Sequence, residues 1–554
     1  MTRVADSISS FSAAQPWWQT AVFYQIYPRS FADSNGDGLG DLPGVIAHLD
    51  YLTWLGVDAI WLSPCFPSPD VDFGYDVSDY CAIDPRMGSL ADLDCLLHAA
   101  HARGMRVILD LVLNHTSDQH AWFQESRSGR DNPRRDWYLW RSPAPGGGPP
   151  NNWQSIFGGS GWTLDPASGQ YYYHTFYRQQ PDLNWRSPAV RAAMLAVFRF
   201  WLDRGVDGFR LDVFNAYFKH PDLPNNPPAL GLRAYDRQRH RYDADQPDMI
   251  PLLNEIRALL DSYPERPGLG GRYAIGETFL PSPGKAAAYM GAARLHAAFN
   301  FDLLKSAWRP RSFIEAIQRS EQWLKADDWP TIVFNNHDEP RSATRWGGGV
   351  NDSRLKVAAA LLLTLRGTPY LYYGEEIGMR NCDPATRAQV QDAVGRTYWP
   401  FYKGRDGCRT PMQWDDSPTA GFSARPECAP WLPLHANAAW RNVAAQRQDP
   451  TSLLNWYRRL IELRRATPAL TGGMFLPLTH GTNYLLAYLR QTTDQVVLVA
   501  LNFSRRRQRL VLGRELARAS WILLLSTHRQ QPPALLRGSL LPLEAGEALI
   551  LEMQ

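Results

Sequence analysis

Short apolar runs alternate with stretches whose apolar positions recur every three or four residues, and this rhythm holds for most of the chain. Val22–Tyr27 reads as a buried strand, Leu42–Leu55 as a helix, Ala59–Leu62 as a strand and Leu90–Arg103 as a helix. Strand Val107–Leu113 follows, then helix Arg191–Arg204, strand Gly208–Leu211, helix Ile250–Leu260 and strand Tyr273–Gly276. The series continues through strand Ala298–Phe301, helix Phe313–Leu324, strand Thr331–Phe334, helix Arg354–Arg366 and strand Tyr370–Tyr373, and helix Ser452–Arg465 closes it. Strands that alternate with helices are parallel, and eight such units predict an α/β chain built as a (β/α)8 TIM barrel. The flanks of the sixth strand are the least defined part of the pattern.

Three segments break the rhythm. Residues 115–184 are rich in Gly, Pro and aromatics without helical periodicity and read as a loop-rich domain inserted after the third strand. The barrel then comprises residues 1–114 and 185–471, with an irregular excursion over 381–431. From residue 472 to 554 short strand-like runs (Tyr484–Leu489, Val496–Leu501, Ser520–Leu525, Ala548–Leu551) predict an antiparallel β domain.

Composition narrows the class. With 44% hydrophobic and 20% charged residues, the chain has an ordinary globular mix, which excludes disorder, collagen and coiled coil. A net charge of +3 over 554 residues gives no reason to expect a nucleic-acid or membrane partner. The dense basic run Arg505–Arg507 with Arg509 lacks interleaved aromatics and reads as a solvated strand face. Twenty-one Trp and 24 Tyr beside 41 Gly and 42 Pro point to an enzyme whose long loops carry flat binding surfaces. The six cysteines form no C-x-x-C pair and read as ordinary thiols. Neither a signal-peptide stretch between Met1 and Trp18 nor an apolar run of membrane-span length is present, so a cytoplasmic protein is the expectation.

In a barrel the chemistry sits where strands end. The third predicted strand ends in Asp110-Leu-Val-Leu-Asn-His115, the fourth in Gly208-Phe-Arg-Leu-Asp212, the fifth in Gly276-Glu-Thr278 and the seventh in Asn335-Asn-His-Asp338. Period-two alternation puts Arg210 and Asp212 on one face, where the guanidinium favours an ionised, nucleophilic carboxylate. A second carboxyl that stays protonated could act as general acid, and two carboxyls about 5–5.5 Å apart mark a retaining glycosidase.

These four stretches resemble the signature regions of the α-amylase family of glycoside hydrolases. Gln180-Pro-Asp-Leu-Asn184 resembles a fifth, in the form of the α-glucosidase and oligo-1,6-glucosidase branch. Ile26–Phe31, Phe73–Asp76 and Arg409-Thr-Pro-Met-Gln-Trp414 are similar to further family stretches, so the likeness runs from about residue 17 to 470. It implies Asp212 as nucleophile, Glu277 as general acid/base and Asp338 as the third carboxylate. His115, Arg210 and His337 match ligands of the innermost glucose, and Asp72 and Tyr75 a carboxylate and ring against it. Arg409 matches an arginine that closes the pocket beside that carboxylate, which implies exo-action. Phe157 and Phe176 resemble aromatic pocket walls.

The implied activity is release of terminal non-reducing α-linked glucose from small oligosaccharides, with transglucosylation to small acceptors. Val213, after the nucleophile, accompanies α-1,6 specificity in the branch, whereas the long Phe214–Pro228 stretch resembles loops of α-1,4-preferring members; Phe279 is not diagnostic. The linkage therefore stays open, and so does the oligomeric state. A sucrose isomerase or other α-glucosyl transferase would share the carboxylates. A non-catalytic transporter partner would lose them and gain a membrane anchor.

The loop Asp33-Ser-Asn35-Gly-Asp37-Gly-Leu39-Gly-Asp41 places oxygen donors at alternate positions like half an EF-hand, with Gly44 where the bidentate Glu would stand. The resemblance implies a structural Ca2+ or Mg2+ here, on Asp33, Asn35, Asp37, Asp41 and the Leu39 carbonyl. No organic cofactor is implied. His98 and His101 lack further ligands at zinc spacing and read as surface histidines.

Overall fold

The computed structural model describes residues 15–278, 283–325, 327–479, 483–529 and 535–554. Strands β1 (Phe23–Ile26), β2 (Ala59–Leu62) and β3 (Arg106–Leu111) pair in parallel. In the segment after β3, β4 (Trp140–Arg141), β5 (Trp162–Asp165) and β6 (Gln170–Tyr173) form a small antiparallel sheet in the order β4-β6-β5. The chain then returns through β7 (Gly208–Leu211), β8 (Tyr273–Gly276), β9 (Ala297–Ala298), β10 (Thr331–Val333) and β11 (Thr368–Tyr372). Eight parallel strands result, in the order β10-β11-β1-β2-β3-β7-β8-β9, nearly closed as a barrel.

The strands read as unbroken apolar runs because helices bury their outer face while the barrel interior buries the other. Alternate residues divide the work. Phe23, Ala59, Trp61, Ile108, Tyr273, Ile275 and Tyr370 fill the barrel, whereas Tyr24, Ile60 and Leu109 pack outward in the larger core. Along the inward rows the side chains turn polar toward the C-terminal strand ends: Phe23 gives way to Gln25, Ile108 to Asp110, Gly208 to Arg210 and then Asp212. Gly208 is required at its level, since a Cβ there would overlap the Tyr273 carbonyl oxygen.

The sixth strand, β9, is only two residues long, and among the described residues no backbone ladder joins it to β10. The seam is bridged by Thr331, whose hydroxyl donates to the Ala298 carbonyl (3.2 Å) and accepts from the Asn300 N–H (3.4 Å). The helix read over Leu42–Leu55 is two helices, Leu42–Ala47 and Leu49–Leu55. At the break His48 stacks on Trp414 (3.8 Å) and its Nδ1–H takes the Gly44 carbonyl, which its own backbone N–H would use in a continuous helix.

The C-terminal part contains β12 (Met474–Pro477), β13 (Leu485–Gln491), β14 (Val496–Asn502), β15 (Gln508–Val511), β16 (Trp521–Ser526), β17 (Leu535–Leu536), β18 (Leu540–Leu543) and β19 (Ala548–Met553). Six of them form an antiparallel sheet, β12-β13-β14-β19-β16-β17, and β15 pairs with β18. Buried Arg490 of β13 joins this sheet to the barrel by donating to the carbonyls of Thr364 (2.6 Å) and Leu470 (2.9 Å). Arg505–Arg507 lie in the turn before β15 rather than on a strand, and Arg507 reaches Glu544 at 3.2 Å. All six cysteines are free thiols.

Candidate active site

Three strand ends converge on one guanidinium. Arg210 of β7 is buried, and its Nη1 donates to Asp110 (2.7 Å) at the end of β3 and to Asp212 (2.6 Å) just beyond β7. Its Nη2 pairs with Glu277, the first residue after β8. Asp110 is further held by the Trp61 indole (3.2 Å) and the Tyr75 hydroxyl (3.0 Å). Arg210, Asp212 and Glu277 thus meet, and Asp110, absent from the site residues singled out in the sequence, joins them as a buried anchor. Its inward position on β3 was the available signal.

A proton chain runs beside this hub. The Gln25 side-chain nitrogen donates to His337 Nδ1 (2.8 Å), so the ring carries its proton on Nε2. Nε2 faces the Tyr75 hydroxyl (2.6 Å) and Asp338 (3.2 Å), and Tyr75 hands its own proton to Asp110. Burial lowers the His337 pKa to about 3, which keeps the ring neutral. The two rings are parallel with centroids 5.2 Å apart. His115 is likewise buried, with Nε2 on the Tyr75 carbonyl (2.9 Å) and Nδ1 on the Asn114 amide (3.2 Å).

The carboxylates differ in charge state. Burial pushes Asp212 up to about 6 against the pull of Arg210, with Asp110 adding to the rise. Burial also opposes ionisation of Asp338, yet the charges around it, Arg405 and Arg409 among them, hold it well below the usual carboxylate range. With His337 neutral, that ionisation rests on the guanidinium groups of Arg405, Arg409 and Arg210.

The outer rim corrects one expectation. Arg409, read as the partner of Asp72, is fully buried and instead holds the His337 carbonyl (2.8 Å) and Asp338 (2.9 Å). The arginine on Asp72 is Arg405, four residues earlier, at 2.6 Å. Arg405 also reaches Asp338 (3.3 Å) and Asp392 (2.9 Å), so one side chain ties three carboxylates together. The repeat of Arg at i and i+4 in Arg405-Asp-Gly-Cys-Arg409 was the missed signal: a loop with no periodicity gives no way to choose between them. Asp72 additionally accepts from Gln180 (3.1 Å), which brings the Gln180–Asn184 stretch against the pocket.

Phe157 and Phe176 lie at the site: the ring of Phe176 is 5.1 Å from His115 and 5.5 Å from Phe157, and Arg405 stands 5.6 Å over Phe157. Phe176 and Val213 share a small apolar cluster. Val213 has φ +37° and ψ +37°, a left-handed conformation that a β-branched residue adopts at a cost of about 1–3 kcal/mol. The turn it makes ends β7 immediately after Asp212. Phe279 lies outside the described residues.

In the Asp33–Asp41 loop the side chains cap the loop's own backbone. Asp33 accepts from Gly36 (2.6 Å) and Gly38 (2.9 Å), Asn35 from Asp37 (2.9 Å), and Asp37 from Leu39 (2.8 Å). Asp41 accepts from Ser34 and N-caps the helix Leu42–Ala47 through Gly44 (2.6 Å). The donor set is all oxygen, as a hard cation requires, but among the described residues no group of three or more acidic, His or Cys side chains is arranged to hold a metal ion. His98 is exposed, whereas His101 is half-buried and bonded to Asp207 (2.8 Å).

Comparison with known proteins finds relatives over most of the chain. The alpha amylase catalytic-domain family matches residues 25–473. A protein of Rhizobium meliloti (strain 1021) named "Probable alpha-glucosidase" is 42% identical over 516 residues, 91% of this chain and 92% of its own. The oligo-1,6-glucosidase of Parageobacillus thermoglucosidasius is 40% identical over 523 residues, 88% of this chain and 91% of its own. Among solved structures, the alpha-glucosyl transfer enzyme XgtA superposes with a TM-score of 0.89 at 42% identity, covering 98% of this chain and 100% of its own. No helix among the described residues is long and apolar enough to cross a membrane.

Proposed function

The chain belongs to the α-amylase family of glycoside hydrolases, and on that premise we propose that it is a retaining, exo-acting α-glucosidase of short oligosaccharides. The observation that carries the reading is the shared contact of Asp212 and Glu277 with one guanidinium. Two carboxyls on a single Arg210 stand close together, which suits the roughly 5–5.5 Å of a retaining enzyme better than the 6.5–9.5 Å of an inverting one.

Asp212 attacks the anomeric carbon while protonated Glu277 gives its proton to the departing glycosidic oxygen, leaving a covalent glucosyl-enzyme. Glu277, now ionised, takes a proton from water, which releases glucose and restores Asp212. The pairing of Glu277 with Arg210 corresponds to this second, ionised form. Asp338, kept charged by Arg405 and Arg409, accepts from sugar hydroxyls, and neutral His337 offers its Nε2 proton beside it. Tyr75 and Asp72 wall the far side of the ring, with Phe157 and Phe176 against it. His115 and Arg210 support these groups from below.

Exo-action follows from Arg405, which spans Asp72 and Asp338 and blocks the non-reducing side. The linkage, α-1,4 or α-1,6, turns on the shape at Val213 and the loop after it. Transfer to small acceptors, or full conversion into an α-glucosyl transferase of the sucrose isomerase kind, differs only in what receives the glucosyl group. The similarity to XgtA favours keeping that second reading. The Asp33–Asp41 loop is proposed as the seat of a structural Ca2+ or Mg2+ that takes no part in the reaction.

The test is glucose release from maltose, isomaltose and sucrose, with all products separated by chromatography. Glucose as first product from maltose or isomaltose supports the glucosidase reading and assigns the linkage. New disaccharides from sucrose with little free glucose would favour the transferase. Rapid mid-chain cleavage of long maltodextrin would overturn the closed pocket.

A further inference from the structure

Arg405 holds the pocket's blind end, and something must aim it: a guanidinium on a long stem otherwise samples many rotamers. The structure assigns that task to Asp392, a residue outside the pocket, and we propose Asp392 as the positioning residue that sets the exo-clasp. The proposal rests on the reading of Asp72 and Asp338 as sugar-binding carboxylates.

Asp392 is buried and meets Arg405 three times. Its Oδ2 accepts from Nε (2.9 Å) and from the Arg405 backbone N–H (2.8 Å), and its Oδ1 accepts from Nη2 (3.1 Å). This is the two-pronged fork of an arginine on a carboxylate, which fixes the plane of the guanidinium as well as its position. In that plane the remaining hydrogens of Nη2 and Nη1 point at Asp72 and Asp338. The local chain is shaped for the fork: Gly404 has φ +83°, and a Cβ on it would lie 2.9 Å from the Asp392 Cβ. Asp392 is itself held from behind, its N–H donating to Asp406 (3.1 Å).

Asp392 has a second duty. Its Oδ1 accepts from Val394 (3.2 Å), capping the short helix Ala393–Tyr398, whose Tyr398 hydroxyl lies 3.5 Å from the Phe157 carbonyl. One carboxylate therefore couples the helix that touches Phe157 to the arginine that spans Asp72 and Asp338.

The two duties separate by substitution. Asp392→Ser retains a helix N-cap but loses the charged fork, whereas Asp392→Asn retains shape but loses charge. We expect both to raise KM for p-nitrophenyl α-glucoside about tenfold while kcat changes less than about threefold, the pattern of a lost ground-state contact. Arg405→Gln should do the same, and Asp392→Asn/Arg405→Gln should fall within about twofold of Arg405→Gln alone, because the aspartate acts through the arginine. Wild-type KM in Asp392→Ser would show that only the cap matters, and effects that multiply in the double variant would show that Asp392 acts by another route; either overturns the proposal. Melting temperatures of all four proteins separate loss of fold from loss of aim. Retained turnover in Asp212→Asn would instead remove the underlying site reading, a result independent of this cycle.

Discussion

Two arginines organise the pocket, and they are held in opposite ways. Arg210 stands on a barrel strand, and its partners Asp110, Asp212 and Glu277 all sit at the ends of neighbouring strands. Arg405 comes from a loop excursion, and its partners Asp72, Asp338 and Asp392 come from three separate connections. The inner group has its geometry set by the backbone ladder and governs protonation. The outer group depends on side chains pinning one another and governs what can enter. Reaction chemistry is placed where the fold is rigid, and selectivity where loops vary.

The comparison can be broken from the inside first. Asp212→Asn should cost at least about 10⁴-fold in kcat with an unchanged melting temperature, since a nucleophile has no substitute; substantial residual turnover would remove Asp212 from the chemistry. Removal of the outer arginine is expected to act mainly on KM, as laid out for Arg405→Gln, and a loss of kcat as large as that of Asp212→Asn would erase the distinction between the two groups.

The pH profile sharpens it. Asp212 must be ionised to attack, and burial has raised it to about 6. Activity should therefore fall as pH drops through about 6, with kcat/KM losing about tenfold per further unit. Asp338 is held low and contributes no change there. An acid limb near 4 would mean that Arg210 outweighs burial at the nucleophile.

The smallest effect is expected from chelation. If an ion sits on the Asp33–Asp41 loop, EDTA should lower the melting temperature by a few degrees, with kcat unchanged below that temperature. No shift would leave the backbone-capping role seen for Asp33, Asp37 and Asp41 as their whole function.

Much of the inner group was legible because it obeys a period. Ala59–Leu62, Gly208–Leu211 and Tyr273–Gly276 begin and end where the apolar pattern does. Alternation alone puts Arg210 and Asp212 on one face. The outer group was not legible in the same way. Nothing in Arg405–Arg409 says which arginine turns toward Asp72, because that depends on a fork with Asp392 and a positive φ at Gly404. The conformation of Val213 was hidden for the opposite reason: β-branched residues disfavour the left-handed region, so a local rule points away from it. The break at His48 likewise comes from a tertiary partner, Trp414, more than 360 positions away.

The Thr331 seam has a consequence for how the barrel breathes. Seven of its interfaces are backbone ladders, whereas among the described residues the eighth is bridged through one hydroxyl. Opening there separates β9 from β10 without unzipping a strand pair, so it should cost less than opening a laddered interface. Amide hydrogens flanking the seam should therefore exchange by local opening, while those between β2 and β3 wait for global unfolding. Thr331→Val, which keeps the shape and removes the clasp, should widen that gap. The enzyme is then a ring with a latch rather than a hoop.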